Sequence, residues 1–193
     1  EHLVFDDFEF CTPAEIEQMR PAGEFIADVL AATSSAAAVG VNLLELDALA
    51  HQMIRDRGAE SCYIDYHPSF GASPFGKVLC TSVNDAALHG LPHDYVLRDG
   101  DLLTVDFAAS VDGWVTDAAV SVIVGDPREE DVRLIQAAQD ALAAAIEDYP
   151  VGNRLGDVSN AIGEVAKRNR LKVVAAFDVR VVRPAVACSQ TID

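Results

Sequence analysis

The segment from Leu103 to Val124, LTVDFAASVDGWVTDAAVSVIV, constrains the fold more than any other part of the chain. It contains the pair Asp112-Gly113 between two runs in which apolar residues alternate with small or polar ones. Asp-Gly at such a place is a strong signal for a two-residue β-hairpin turn, because both residues tolerate the left-handed backbone that this turn needs. The sequence therefore predicts two antiparallel strands that reverse at these two residues.

A two-residue turn also fixes which residues face one another across the hairpin. Val111 then faces Trp114. Asp106 faces Ala119, and Asp117 lies one same-face step away, roughly 7–8 Å at Cα. Like charges so placed repel, and a divalent metal ion between them is the obvious compensation. In the alternative interpretation, one aspartate is a solvated edge residue and the other caps a turn, since a longer loop would change the register.

The two faces of the predicted hairpin differ in character. The carboxylate face is mostly small or polar, which leaves room for ions and substrate; it carries Thr104, Asp106, Ala108, Val115, Asp117, Ala119 and Ser121. The opposite face is suited to packing against helices; it carries Leu103, Val105, Phe107, Trp114, Val120, Val122 and Val124.

Length, charge and cysteine usage narrow the class of protein. The 193 residues, half of them apolar, can bury one core, and 14 basic against 31 acidic residues give a net charge of −17. Nucleic acid and anionic membranes are poor partners for such a chain. No apolar run approaches the ~20 residues that cross a bilayer. The four cysteines lack metal-site spacing, which favours reduced thiols and a cytoplasmic location.

Capping signals predict two helices before the hairpin. The first begins after the N-cap Thr12, with Glu15 completing a capping box. The second follows Asn42, with Glu45 in the box position, and ends at Gly58. Strand and loop are expected over residues 61–82.

Two further helices are predicted after the hairpin. Asp126 is the expected N-cap of the third helix, and Pro127 its first residue. Its inward-facing residues are expected to be Val132, Ile135, Leu142 and Ile146. The fourth helix is expected over roughly Leu155 to Arg168.

The two helix pairs are similar to each other. Val39-Gly40 corresponds to Val151-Gly152 at an offset of 112 residues, and apolar positions of the following helices then align. Only 23 residues follow Arg170, too few for a second sheet like the first. The expectation is a first αα-β repeat that is complete and a second that is incomplete.

Three segments resemble the type I methionine aminopeptidases, which are pita-bread metallopeptidases. They are TPAEIEQMRPAG from Thr12, LCTSVNDAALHGLP at 79–92 and LRDGDLLTVDFAASVDGWVTDAAVSVIVG at 97–125. The resemblance implies an α+β, pita-bread (creatinase/aminopeptidase) fold. It also implies an aminopeptidase-like domain over residues 12–174, between an N-terminal extension (1–11) and an atypical C-terminal tail (175–193).

The resemblance implies a dinuclear metal site and a substrate. Asp106 would bind one metal ion and Asp117 would bridge both; the ions would be Co, Mn, Fe, Zn or Mg. The reaction would remove N-terminal methionine from peptides and nascent proteins through a metal-activated water. The partners would be peptide and protein N-termini that begin with Met.

The resemblance also implies residues that contact the substrate. His89 would hydrogen-bond the substrate amide and assist the leaving group, and Tyr66 and His67 would roof the methionine pocket. Cys80 would lie beside that pocket. Without the resemblance, His89 reads as a structural histidine in a turn before Gly90, and Cys80 as a small buried residue.

The chain departs from the family after Val174. The family completes its site with a histidine in a Gly-His-Gly-Ile-Gly block and two glutamates, and the tail AAFDVRVVRPAVACSQTID contains neither residue type. The expectation is weak or partial metal binding and impaired activity, as a shifted reading frame or a C-terminal deletion would produce. The alternatives are a non-catalytic half-domain that binds peptides or proteins and self-associates through an incomplete sheet, or two chains that pool ligands.

Overall fold

One antiparallel sheet and four helices make up the computed structural model, which describes residues 11–67, 73–148, 152 and 154–173. In chain order the elements are α1 (Pro13–Ala36), α2 (Leu43–Arg57), β1 (Glu60–Ser61), β2 (Cys80–Val83), β3 (Leu102–Val111), β4 (Trp114–Ile123), α3 (Glu129–Glu147) and α4 (Leu155–Arg168). The predicted mixture of helix and sheet is confirmed. Within these residues, no helix combines the length and apolar character that a membrane span requires.

The hairpin forms with the predicted register. Strands β3 and β4 pair from Leu102↔Ile123 to Val111↔Trp114. The two turn residues, Asp112 and Gly113, have φ angles of 53° and 83°, in the left-handed region that a two-residue turn of this kind requires.

Strand β3 is the centre of the sheet. β4 lies on one side of it, while β1 and β2 pair with successive parts of its other side. The apolar face of the sheet packs against α1, where the rings of Phe25 and Phe107 meet edge to face at 6.0 Å. The largest fully buried side chains of the core include Phe107, Leu43, Leu46, Leu79, Leu97, Leu103, Val29 and Val105.

The first two helices begin where their capping signals predict. Thr12 and Glu15 form a capping box at α1, and Asn42 and Glu45 form another at α2. Helix α2 ends at Gly58, whose left-handed backbone makes it a typical C-cap.

The predicted start of the third helix is wrong by two residues. Helix α3 begins at Glu129 after Arg128, and not at Pro127. The backbone N–H of Asp126 donates to Asp99 Oδ1 at 2.7 Å, which holds Asp126 in the preceding loop instead of at the helix cap.

The predicted inward face of α3 is also mostly wrong. Val132, Leu142 and Ile146 are 46%, 63% and 67% exposed, while Ile135 is half-buried. The residues that α3 buries include the small Ala137 and Ala145. Helical periodicity predicts which residues share a face, but burial depends on a neighbour, and α3 packs mainly on α4.

The internal similarity is visible in the structure. Helix α2 begins at Leu43 and α4 at Leu155, which keeps the offset of 112 residues, and α4 has its predicted bounds. The preceding turns both use a left-handed glycine, Gly40 at φ 92° and Gly152 at φ 107°. Helices α2 and α4, with 15 and 14 residues, therefore begin at matching positions, three residues after a left-handed glycine.

The loop after β2 returns to cross the strand closely at Gly90. The Thr81 N–H donates to the Gly90 carbonyl at 2.7 Å, and the Gly90 N–H donates to Ser82 Oγ at 3.1 Å. A Cβ on Gly90 would overlap the Thr81 carbonyl oxygen and lie 2.9 Å from Ser82 Cα. Only glycine allows this approach, and it fixes the position of the adjacent His89.

We expect Gly90→Ala to destabilise the chain by about 2–3 kcal/mol, because the added methyl group meets backbone atoms that cannot rotate away. Chemical unfolding measures the change. Gly163→Ala in α4 is the matched control, since its Cβ meets nothing within 4 Å and should stabilise the helix by up to ~1 kcal/mol. Equal stability of wild type and Gly90→Ala would contradict the close approach.

Candidate functional site

Asp106 and Asp117 lie on one face of the hairpin, as predicted. Asp106 pairs with Ala119 across the two strands, and Asp117 pairs with Ala108, so the carboxylates are diagonal neighbours. The Tyr63 hydroxyl donates to Asp106 Oδ1 at 2.8 Å and lies 3.4 Å from Asp117 Oδ1. The pair and this hydroxyl form the candidate site.

No positive side chain compensates the pair in the described part of the chain, where every ion pair involves other carboxylates. Asp117 keeps part of its surface exposed. Burial of its carboxyl group, the charge of Asp106 and a hydrogen bond between the two carboxyl groups raise its pKa to about 7, and the Tyr63 hydroxyl opposes this. Near neutral pH the Asp117 carboxyl group is therefore partly protonated in the absence of a cation.

The neighbours of the pair are neutral. Burial, together with the charges of Asp106 and Asp117, raises the pKa values of the Tyr63 hydroxyl and of the Cys80 thiol. Both groups thus remain protonated at neutral pH, Tyr63 as a hydrogen-bond donor and Cys80 as a thiol.

The structure brings one predicted substrate residue directly to the pair and a second into the same turn as Tyr63. Cys80 is buried and faces Asp106 across β2 and β3. The Tyr66 N–H donates to the Tyr63 carbonyl at 3.0 Å, so the two tyrosines share one turn. The Tyr66 hydroxyl is buried and has no hydrogen-bond partner among the described residues, which makes it available to a ligand.

The two predicted site histidines lie at the surface. His67 is exposed and immediately precedes residues 68–72, which are outside the described residues. His89 is exposed in the loop after β2, with a left-handed φ of 54°. It is presented at the edge of the sheet by the tightly anchored Gly90.

Sequence reasoning missed two features, of which one is Tyr63 at the site and the other lies outside it. Nothing in the spacing of Tyr63 separates it from Tyr66. The one available signal is chemical, since two adjacent carboxylates repel each other and need a donor.

The other missed feature is a hydrogen-bond network around the buried Asp101. Its carboxylate accepts from Asn84 Nδ2 (2.9 Å), the Tyr95 hydroxyl (2.9 Å) and the Arg98 N–H (2.8 Å). Burial alone would raise its pKa, but these hydrogen bonds together lower it. Asn84 begins the loop that carries His89, so this network anchors that loop.

The donor chemistry of the site suits a divalent cation but supplies few ligands. Two adjacent carboxylates without a positive neighbour are hard oxygen ligands for such an ion. Among the residues that the structure describes, no cluster of three or more histidine, cysteine, aspartate or glutamate side chains is placed to hold a metal ion. The pair therefore fits part of a metal site.

The fold and the pair together define a class of protein. The chain superposes on the prolidase from Pyrococcus furiosus with a TM-score of 0.68 at 20% identity, covering 81% of this chain and 43% of that one. This likeness shows the pita-bread fold, which confirms the predicted fold class.

The chain belongs to metallopeptidase family M24, whose sequence model matches residues 17–181. Membership of a metallopeptidase family implies a divalent metal cofactor. The family assignment made from the sequence motifs is confirmed.

Several relatives are named methionine aminopeptidase. The one from Aquifex aeolicus is 34% identical over 170 residues, covering 88% of this chain and 66% of the relative. Methionine aminopeptidase 1 from Mycobacterium tuberculosis is 37% identical, covering 86% and 60%. The crystal structure of the Thermotoga maritima enzyme matches with a TM-score of 0.76 at 31% identity, covering 84% and 63%. The chain thus spans less than two thirds of these proteins.

The raised pKa of Asp117 predicts a pH-dependent stability of the cation-free chain. The folded state holds this proton more tightly than the unfolded state, whose pKa is near 3.8. Stability should therefore fall as the pH rises from about 4 to about 7, and the loss should be complete above the folded pKa. Asp117→Asn should remove this dependence.

Urea unfolding in the presence of a chelator at pH 5 and pH 8 measures the effect. The stability gain of Asp117→Asn over wild type should be larger at pH 8. Asp106→Asn should flatten the pH dependence as well, because it removes the charge that helps to raise the pKa of Asp117. Stability curves of wild type and Asp117→Asn that run parallel with pH would refute the assignment.

Proposed function

We propose that the chain carries the aspartate part of a dinuclear metallopeptidase site that removes methionine from peptide and protein N-termini. The single observation behind the proposal is the adjacency of Asp106 and Asp117 on paired strands, with no cationic side chain paired to them among the described residues, in a chain of metallopeptidase family M24. The names of the relatives supply the substrate class.

Asp106 and Asp117 would hold the divalent ions, Asp106 as ligand of one and Asp117 as the bridging carboxylate. The ions would be chosen from Co, Mn, Fe, Zn and Mg. When bound, such ions polarise the scissile carbonyl and activate a water for attack. The hairpin contributes by fixing both carboxylates before any ion arrives, so that little ordering is needed on binding.

The other predicted residues would handle the substrate. His89, at the sheet edge, would hydrogen-bond the scissile amide and donate to the leaving group. Tyr66 and His67 would cover the methionine side chain, and the Tyr66 hydroxyl, which has no hydrogen-bond partner in the part of the chain that the structure describes, suits a contact with substrate. Cys80, buried beside Asp106, would form the apolar wall of the pocket.

The alternative is a non-catalytic half-domain that binds peptides or proteins. The specific observation in its favour is that the described residues offer two carboxylates and no third clustered metal-binding side chain. Exposed apolar residues on α3 and α4, such as Leu142, Ile146 and Leu155, would suit contacts with another chain. A site completed by a second chain is also consistent with them.

We expect the chain to bind Mn²⁺ and to hydrolyse Met-Ala-Ser slowly, and Asp106→Asn and Asp117→Asn each to abolish turnover. Each substitution should weaken Mn²⁺ binding by at least about 10–100-fold, the loss that removing even an outer partner of a metal site produces. Calorimetry measures binding, and release of free methionine measures turnover.

Asp112→Asn is the matched control for this experiment. It removes an exposed carboxylate from the turn of the same hairpin, where asparagine tolerates the left-handed backbone. Binding and turnover should not change. Binding without turnover in wild type would favour the half-domain, and wild type that neither binds Mn²⁺ nor hydrolyses peptide would refute the metallopeptidase proposal for this chain.

A further inference from the structure

We propose that Tyr63 competes with the cation for the Asp106–Asp117 pair: its hydroxyl occupies the cation's place, and an entering ion must displace it. This inference rests on the proposed function, because it takes the pair to be a cation site. It adds to that site a residue that lowers its affinity.

The backbone around Tyr63 is fixed beside the hairpin. The N–H of the preceding Cys62 donates to the Ala108 carbonyl of β3 at 3.3 Å, and the Tyr63 N–H donates to Ser61 Oγ at 3.2 Å. The Tyr63 ring meets the Phe75 ring edge to face at 6.0 Å. These contacts direct the hydroxyl onto the carboxylate face of the sheet.

The hydroxyl and a metal ion need the same carboxylate oxygen. Tyr63 places its single O–H on Asp106 Oδ1 at 2.8 Å, within 3.4 Å of Asp117 Oδ1. A divalent ion binds carboxylate oxygens more closely, at about 2.0–2.6 Å, and requires their lone pairs. The hydroxyl group therefore lies where an ion shared by these two oxygens would lie, and its hydrogen occupies one of the lone pairs of Asp106 Oδ1.

A ligand role for Tyr63 would require the opposite orientation of the hydroxyl. The oxygen would have to turn its lone pair toward the ion and its hydrogen away from both carboxylates. In the structure the phenol donates its only hydrogen to Asp106, which is the orientation that competes with an ion and not the one that binds it. A neutral phenol also brings no negative charge to a cation, so the structure favours competition.

Displacement of Tyr63 would affect its own turn. The Tyr63 carbonyl accepts from the Tyr66 N–H, and the Ile64 carbonyl accepts from the Gly76 N–H. Release of the hydroxyl by an ion would loosen this turn, which also presents Tyr66. Cation binding and the arrangement of the proposed substrate pocket would then be coupled in both directions.

The test is titration of the chain with Mn²⁺, followed by calorimetry, for wild type, Tyr63→Phe, Tyr95→Phe and Asp106→Asn. We expect Tyr63→Phe to bind Mn²⁺ about 10-fold more tightly, because a hydrogen bond to a charged carboxylate no longer has to be broken. Tyr95→Phe is the matched control. It removes a tyrosine–aspartate hydrogen bond of 2.9 Å, to Asp101 and not to the pair, and should leave Mn²⁺ affinity unchanged.

The direction of the change decides the role. Weaker binding by Tyr63→Phe would make Tyr63 a ligand and overturn the proposal, and unchanged binding would overturn it as well. Binding by wild type that is lost in Asp106→Asn would uphold the cation site whatever Tyr63→Phe does. If neither wild type nor Tyr63→Phe binds Mn²⁺, both the proposed cation site and the competing role of Tyr63 are refuted.

A second measurement does not depend on the folding of the variant. Mg²⁺ added to saturation should displace the Tyr63 hydroxyl from the Asp106 carboxylate. The near-ultraviolet tyrosine absorption of the wild-type chain should then shift to shorter wavelength. The same shift should appear in Tyr95→Phe and be absent in Tyr63→Phe. A spectrum of wild type that does not change with bound Mg²⁺ would overturn the proposal.

Discussion

The register of the β3–β4 hairpin is the constraint on which the rest of the site depends. The left-handed turn at Asp112-Gly113 sets Val111 opposite Trp114, and every later pair follows from that one. A shift of one residue would move Asp117 to the face that packs against α1. The turn therefore determines both that the apolar residues form a core and that the two carboxylates are diagonal neighbours on one face of the sheet. This placement causes electrostatic repulsion, which a hydrogen bond from the Tyr63 hydroxyl and the raised pKa of Asp117 relieve.

The two helix pairs show how one sequence pattern can have different consequences for burial. Leu43 at the start of α2 is fully buried, whereas Leu155 at the matching position of α4 is 53% exposed. In the first pair α1 packs on the sheet and α2 packs on α1, while α3 and α4 pack mainly on each other. The internal repeat predicts that the second helix pair also has an apolar face, which another layer of structure would have to cover. The proteins that this chain resembles are longer by a third or more, which is consistent with such a layer in them.

Sequence reasoning succeeded where the determinants are local. The caps at Thr12 and Asn42 and the Asp-Gly turn involve atoms within three residues of one another, and all three formed as predicted. It failed at the start of α3, because a hydrogen bond from Asp126 to Asp99, 27 residues away, competes with the cap. Tyr63 was missed for the same reason: its partner Asp106 is 43 residues away, and only the folded loop brings them together. The motifs indicated the family but not this contact.

Asp101 and Asp117 show how a carboxylate with a structural role differs from one that is suited to bind a cation. Asp101 is buried but receives three hydrogen bonds, and its pKa is lowered. Asp117 is more exposed as a residue, yet the burial of its carboxyl group and the charge of Asp106 raise its pKa, and the Tyr63 hydroxyl, 3.4 Å away, opposes this only in part. A fully satisfied carboxylate such as Asp101 holds loops in place and has no use for a cation. A carboxylate left short of donors beside another negative charge has free energy to gain from one, which is the property expected of a binding site.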